Sequence, residues 1–139
     1  MKENIIDSMD AVSRFCRLQM NKKMDIPIRA SEMGALIYVQ KSDDQVTPLM
    51  ISNFFGIAKP SVTDMVNSLI KKDYLIKIPS EIDRRSYTLE VTEKGHELVA
   101  STFKEYLRTM ELLEEKMGDQ KFTLFIQLLQ EANKILSEE

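Results

Sequence analysis

At 139 residues the chain has the size of one domain, long enough to bury a core and short for two independent ones. Its 43% hydrophobic and 29% charged residues argue against disorder or a low-complexity tail, and no apolar run approaches the roughly 20 residues that span a bilayer. The opening Met1-Lys2-Glu3-Asn4-Ile5-Ile6-Asp7 is too acidic and polar for a secretory signal, so a cytoplasmic, globular protein with no membrane partner is expected.

Cysteine and histidine narrow the chemistry further. Cys16 is the single cysteine and His96 the single histidine, which excludes an internal disulfide and leaves no set of N and S ligands for a structural metal. No nucleophile-base-acid set and no glycine-rich phosphate loop is present. Neither an enzyme nor a cofactor is expected.

Net charge is −3, which argues against nucleic acid until its distribution is read. Residues 59–85 carry six Lys/Arg against four Asp/Glu, net +2, whereas residues 86–139 carry six against eleven, net −5. A phosphate-facing surface needs a local positive excess, and an acidic body elsewhere opposes indiscriminate sticking. The excess is small, which predicts modest affinity with a visible dependence on salt.

In chain order, residues from about Glu3 to Met24 place Ile5, Met9, Val12 and Cys16 on one stripe, widened by Ile6, Phe15 and Leu18, as an amphipathic helix should. Asp25-Ile26-Pro27 ends it. Ser31 and Glu32 open a second helix through about Gln40, with Met33, Leu36, Ile37 and Tyr38. After the polar Lys41-Ser42-Asp43-Asp44 connection, Thr47-Pro48 is a helix start: the hydroxyl can accept an orphan N–H, and proline suits the first helical position. That helix ends near Gly56. Another begins near Ala58 and Lys59 and buries Val62, Met65, Val66, Leu69 and Ile70, with Ser61, Thr63, Asp64 and Asn67 opposite.

Two short helices across a tight glycine turn match a helix-turn-helix, whose second helix lies in the major groove. Tyr74–Ile78 and Tyr87–Val91 then read as strands around a charged loop, Pro79–Ser86, which makes a wing. Thr92 starts a long helix through about Met117, carrying Leu98, Val99, Phe103, Leu107, Met110, Leu112 and Leu113. Gly118-Asp119 separates it from a last helix with Phe122, Phe125, Ile126, Leu129, Ala132, Ile135 and Leu136. The fold class is therefore mainly α with a small two- or three-stranded antiparallel wing.

Candidate site residues fall on the third and fourth helices and the wing. Lys59, Ser61, Thr63 and the helix N-terminus can hold phosphates, while side chains near that end reach base edges. The bland alternative is a core helix that begins with small polar residues. Asp64 would be repelled by phosphates, although it could accept from a cytosine amino group or orient an arginine. Arg84 and Arg85 sit at a loop tip where packing does not explain them, and arginine in a narrow minor groove is a common reader of DNA shape. Asp83 is their expected orienting partner.

The run from Leu69-Ile70-Lys71-Lys72-Asp73-Tyr74-Leu75-Ile76-Lys77 through Asp83-Arg84-Arg85-Ser86, Leu89 and Val91-Thr92-Glu93-Lys94-Gly95 looks like the winged helix-turn-helix of the MarR family of bacterial transcription regulators. The resemblance covers almost the whole chain. It implies outer helices that interlock into a homodimer, recognition helices in successive major grooves, and a wing arginine in the minor groove. It transfers roles onto Ser61, Val62 and Thr63 for the recognition helix and onto Asp83, Arg84 and Arg85 for the wing; Asn67, on the polar face of the same helix, is a further candidate DNA contact. It divides the single domain, 1–139, into a DNA-binding lobe at 31–92 and a helical dimerisation lobe from 1–24 with 93–139. The chain departs from the family's habit at Asp64, where a basic residue is common, at Asp73 or Tyr74, where a glycine is, and at Lys77, where an arginine is.

The resemblance also implies a small lipophilic or aromatic effector between the lobes, and methionine suits such irregular apolar ligands. Met9, Met20, Met24, Met33 and Met65 are expected mostly as core fillers, and His96 as a surface or capping residue. Some relatives sense peroxide through a cysteine in the first helix, which makes Cys16 a redox candidate, with Tyr38 as a nearby hydroxyl; on the apolar stripe it is more simply a buried, inert thiol. The expected function is a sequence-specific, effector-responsive repressor that binds double-stranded DNA as a homodimer on a pseudo-palindromic operator. The alternative is a winged-helix module that contacts protein, favoured by the net charge and by Asp64.

Overall fold

A computed structural model describes residues 2–20 and 25–138. Its elements are α1 (Lys2–Met20), α2 (Ala30–Lys41), α3 (Pro48–Phe55), α4 (Lys59–Lys71), β1 (Leu75–Pro79), β2 (Tyr87–Val91), α5 (Glu93–Met117) and α6 (Asp119–Ser137). The expected first helix ran to Met24; its last four residues lie outside the described ones, as does the packing expected of Met24.

Helix starts follow capping chemistry. The Thr47 hydroxyl accepts the Met50 N–H at 3.2 Å, with Pro48 in the first turn, and the Thr92 hydroxyl accepts the Gly95 N–H at 3.0 Å. α2 starts one residue earlier than Ser31 predicted, because Glu32 reaches back to accept the Arg29 N–H at 2.9 Å and so fixes the first turn. Between α3 and α4, Gly56 adopts φ 65°, a left-handed conformation open to glycine at no steric cost.

β1 and β2 pair antiparallel with Leu75 opposite Val91 and Pro79 opposite Tyr87. The wing is two-stranded, extended at its base by a single bridge in which Leu89 N–H donates to the Val46 carbonyl at 2.8 Å. Both strands start or end one residue from their expected bounds at most.

The core lies under the central helices. Met33, Ala35, Leu36 and Val39 from α2 meet Ile51 of α3, Val62, Met65, Val66 and Leu69 of α4, and Leu75, Leu89 and Val99 from the wing and α5. Met33 and Met65 are thus core fillers, but Met9 is exposed. The end helices differ from the centre. Ile5, Ile6, Met9, Val12 and Leu18 of α1 and Leu124, Leu128, Leu129, Ile135 and Leu136 of α6 are exposed in the single chain, and α6 buries no residue. Phe15 and Phe125 meet edge to face at 5.6 Å. The accessible surface is 10944 Å², whereas a compact monomer of this mass exposes about 7,400 Å².

Candidate nucleic-acid interface

The α3–α4 turn is fastened internally. Ser52 donates its hydroxyl to the Ile57 carbonyl at 2.6 Å, and the Ile57 N–H returns to the Ser52 carbonyl at 3.1 Å. This sets the angle at which α4 leaves. α4 then turns Lys59, Ser61, Thr63, Asp64, Asn67 and Lys71 outward. Val62 does not join them: only 1% of it is exposed, because it is the first apolar rung against α3 and the core. As a candidate contact it is corrected to a packing residue. The Thr63 hydroxyl donates to the Lys59 carbonyl at 3.0 Å, so toward an external partner its oxygen is left chiefly as an acceptor.

The other end of α4 is held from three directions. Asp73 takes φ 67° just past the helix, the left-handed position that glycine adopts most freely and where aspartate is among the better-tolerated replacements. Its carbonyl accepts the Thr92 hydroxyl at 2.7 Å, and Lys94 Nζ donates to the Lys72 carbonyl at 2.9 Å while lying 4.7 Å from the Tyr74 ring centroid. At Gly95 an added Cβ would stand 2.5 Å from the Tyr74 carbonyl oxygen and 2.7 Å from Val91 Cγ1. The Val-Thr-x-x-Gly run is therefore the joint between the wing, α5 and the end of α4.

Glu32 is the contributor that sequence reasoning missed. In the sequence it marks only a helix start, yet its side chain is 0% exposed. Arg29 Nε lies at 3.4 Å and Lys72 Nζ at 3.6 Å from Oε1. Among the described residues the ion pairs found both end on this carboxylate. Burial pushes its pKa up, but Ser68, the Arg29 N–H and guanidinium, and the Lys72 charge outweigh burial and hold it below the ordinary 4.5. Oε2 makes no hydrogen bond of good geometry, although Ser68 is close enough to favour the ionised form. Glu32 thus ties the start of α2 to the last turn of α4. A glutamate beside one apolar run gives no signal of this in one dimension.

The wing tip is shaped by two side chains acting on backbone. Ser80 Oγ accepts the Ile82 N–H at 3.2 Å and the Asp83 N–H at 3.3 Å. Asp83 Oδ1 accepts the Arg85 N–H at 3.0 Å, and Oδ2 accepts the Ser86 hydroxyl at 3.3 Å. Ser80 N–H to the Ser86 carbonyl, 3.0 Å, closes the loop. The expectation that Asp83 orients an arginine side chain is corrected: it orients the chain, and both guanidinium groups stay exposed. A short polar loop turns on its own side-chain acceptors, because Ser and Asp oxygens readily take backbone N–H groups two or three residues on.

Away from this face, Cys16 is exposed rather than buried, because on its stripe only Phe15 is part-buried among the described residues and the positions beside Cys16 stay open. Tyr38 packs on Phe54 and Phe55, with centroids 4.6 and 5.9 Å away. His96 is exposed in the first turn of α5. A cleft of about 940 Å³ runs between α2 and α5, lined among others by Gly34, Phe55, Ile57, Tyr106 and Met110. Burial pushes the Tyr106 hydroxyl's pKa up. Among the described residues no group of three or more His, Cys, Asp or Glu could hold a metal ion, and no helix is long and apolar enough to cross a membrane.

Two helices across a tight turn, the second pinned at its end, and an arginine-tipped hairpin define a winged helix-turn-helix, flanked here by long end helices. Solved structures share this architecture over nearly the full chain. A MarR protein from Peptoclostridium difficile DA00132 superposes with a TM-score of 0.78 at 21% identity, covering 97% of this chain and 88% of that one. A MarR/EmrR family transcriptional regulator from Acinetobacter sp. ADP1 gives 0.75 at 21%, covering 98% and 97%. Streptococcus pneumoniae FabT, in complex with DNA, gives 0.64 at 21%, covering 99% and 95%. The chain has the fold of MarR-type regulators. No protein-family model matches the sequence, and no curated protein does.

Proposed function

We propose that this protein is a MarR-family transcriptional regulator that binds duplex DNA as a homodimer and acts as an effector-responsive repressor on a pseudo-palindromic operator. The observation that carries the reading is the exposed Arg84–Arg85 pair on an internally fastened wing, beside a recognition helix whose polar face is turned outward. In it, Lys59 and Ser61 hold phosphates at the start of α4, Thr63 and Asn67 face base edges, and the wing arginines enter the minor groove. Residues 31–92 form the DNA-binding lobe. Residues 1–24 and 93–139 form the dimerisation lobe, where a second copy covers the exposed leucines and isoleucines of α1 and α6 and accounts for the excess surface. Half-sites then lie about one helical turn, roughly 34 Å, apart. The cleft by Tyr106 suits a small aromatic or lipophilic effector.

Titrating selected duplex DNA against salt tests the reading. Each phosphate neutralised contributes about −0.9 to the slope of log K against log salt, so Arg85→Ala should weaken binding and flatten that slope by about one. Binding that ignores salt and tolerates Arg85→Ala would instead support a winged-helix module that contacts protein.

A further inference from the structure

Ile82 is 98% exposed, the most exposed of the large hydrophobic side chains among the described residues. Most others lie on helix faces that a second copy would cover. Ile82 stands alone at the wing tip, two residues from Arg84, and its backbone is fixed on both sides: Ser80 Oγ holds its own N–H and that of Asp83, and Asp83 holds Arg85. The loop's hydrogen bonds use only the backbone of this residue and would be the same with any side chain but proline's, so the isoleucine side chain does nothing for the fold. Its β-branched side chain has few rotamers, which makes it a stiff apolar knob on a stiff support.

We infer that Ile82 is an apolar wedge for the minor groove of duplex DNA, a specificity-determining contact beside the wing arginines; the inference rests on the DNA reading above. The arginines bring the tip to the groove by charge. Ile82, two residues before Arg84, then faces deoxyribose C–H groups and base edges, where an isoleucine loses water and can press between base steps. Such a wedge favours steps that unstack readily, TA and CA/TG, over stiff A-tracts. Ile82 would thus read deformability at positions where no hydrogen bond is made.

The test uses the full-length protein and a duplex selected by the wild type from a random-sequence pool. Because Ile82 touches nothing in the fold, Ile82→Ser should keep the wild-type melting temperature. It should bind the selected duplex about tenfold more weakly with an unchanged salt slope, unlike Arg85→Ala. Replacing the pyrimidine–purine step under the wing by an A-tract should weaken the wild type and leave Ile82→Ser almost unaffected. Equal affinity of wild type and Ile82→Ser, or equal loss by both on the A-tract duplex, overturns the wedge while leaving DNA binding intact. Failure of the wild type to select any duplex overturns the DNA reading and the wedge with it. A change of oligomeric mass in Ile82→Ser would assign the residue to a protein contact and also overturn it.

Discussion

Replacing Glu32 by glutamine removes one buried charge and little else. The wild-type carboxylate accepts the Arg29 N–H at 2.9 Å and has Arg29 Nε and Lys72 Nζ at 3.4 and 3.6 Å. Glutamine keeps an acceptor for the N–H but turns charge-assisted contacts, about 1.5–3 kcal/mol, into neutral ones of about 0.5–1.5 kcal/mol. The expected loss is about 1–2 kcal/mol. At an unfolding entropy of about 2.1 cal/mol/K per residue, that lowers Tm by roughly 3–7 °C. The sign of the pH dependence follows from the depressed pKa: the contribution is present above the ordinary 4.5 and is lost as pH falls through the lower folded value. Urea unfolding of both proteins at one fixed protein concentration, at pH 7 and at steps down to about 3.5, should show a full gap at neutral pH that closes in acid. A gap of constant size down to the lowest pH, or none at pH 7, would refute the account of Glu32 as an ionised tie between α2 and α4.

Two further outcomes are expected. Gly95→Ala forces a methyl group to within 2.5 Å of the Tyr74 carbonyl and should cost about 1–3 kcal/mol in the same unfolding assay, whereas Gly118→Ala, with nothing near its added Cβ, should be limited to the strain of its positive φ. Leu128→Glu with Leu136→Glu on the exposed face of α6 should give a monomer by sedimentation and lose most affinity for a two-half-site duplex; a dimer of unchanged mass would place the interface elsewhere.

The helices and wing were legible because their signals are local. Thr47-Pro48, Gly56 and Thr92 each report a backbone that caps or turns at that point, and the alternation of Tyr87, Leu89 and Val91 reports a half-buried strand. The run from Val91 to Gly95 was recognised as a pattern before its cause was visible; the cause is a contact with Asp73 and Tyr74, some twenty residues away. Glu32 and Ser80 were invisible for the same reason, since their partners are set by three-dimensional packing or by a turn the sequence does not spell. Val62 shows the opposite error: helical periodicity assigned it to the core, and only the resemblance to MarR-family regulators moved it toward DNA. The apolar stripes of α1 and α6 were also read correctly as stripes, but periodicity does not say whether the cover comes from the same chain.

The fastening of α4 to the start of α5 has a mechanical side. Thr92 and Lys94, both at the head of α5, grip the carbonyls of Asp73 and Lys72, so a displacement of the head of α5 would be passed to the end of α4. α5 has 25 residues, which makes it about 37 Å long. Rotating such a rod by about 5° around its far end carries its near end, and the clamped helix with it, through about 3 Å, close to the 3.4 Å rise between neighbouring nucleotides of one DNA strand. Were α4 to lie in a groove as proposed, a small change of pitch far from the wing would be sufficient to put it one nucleotide out of step.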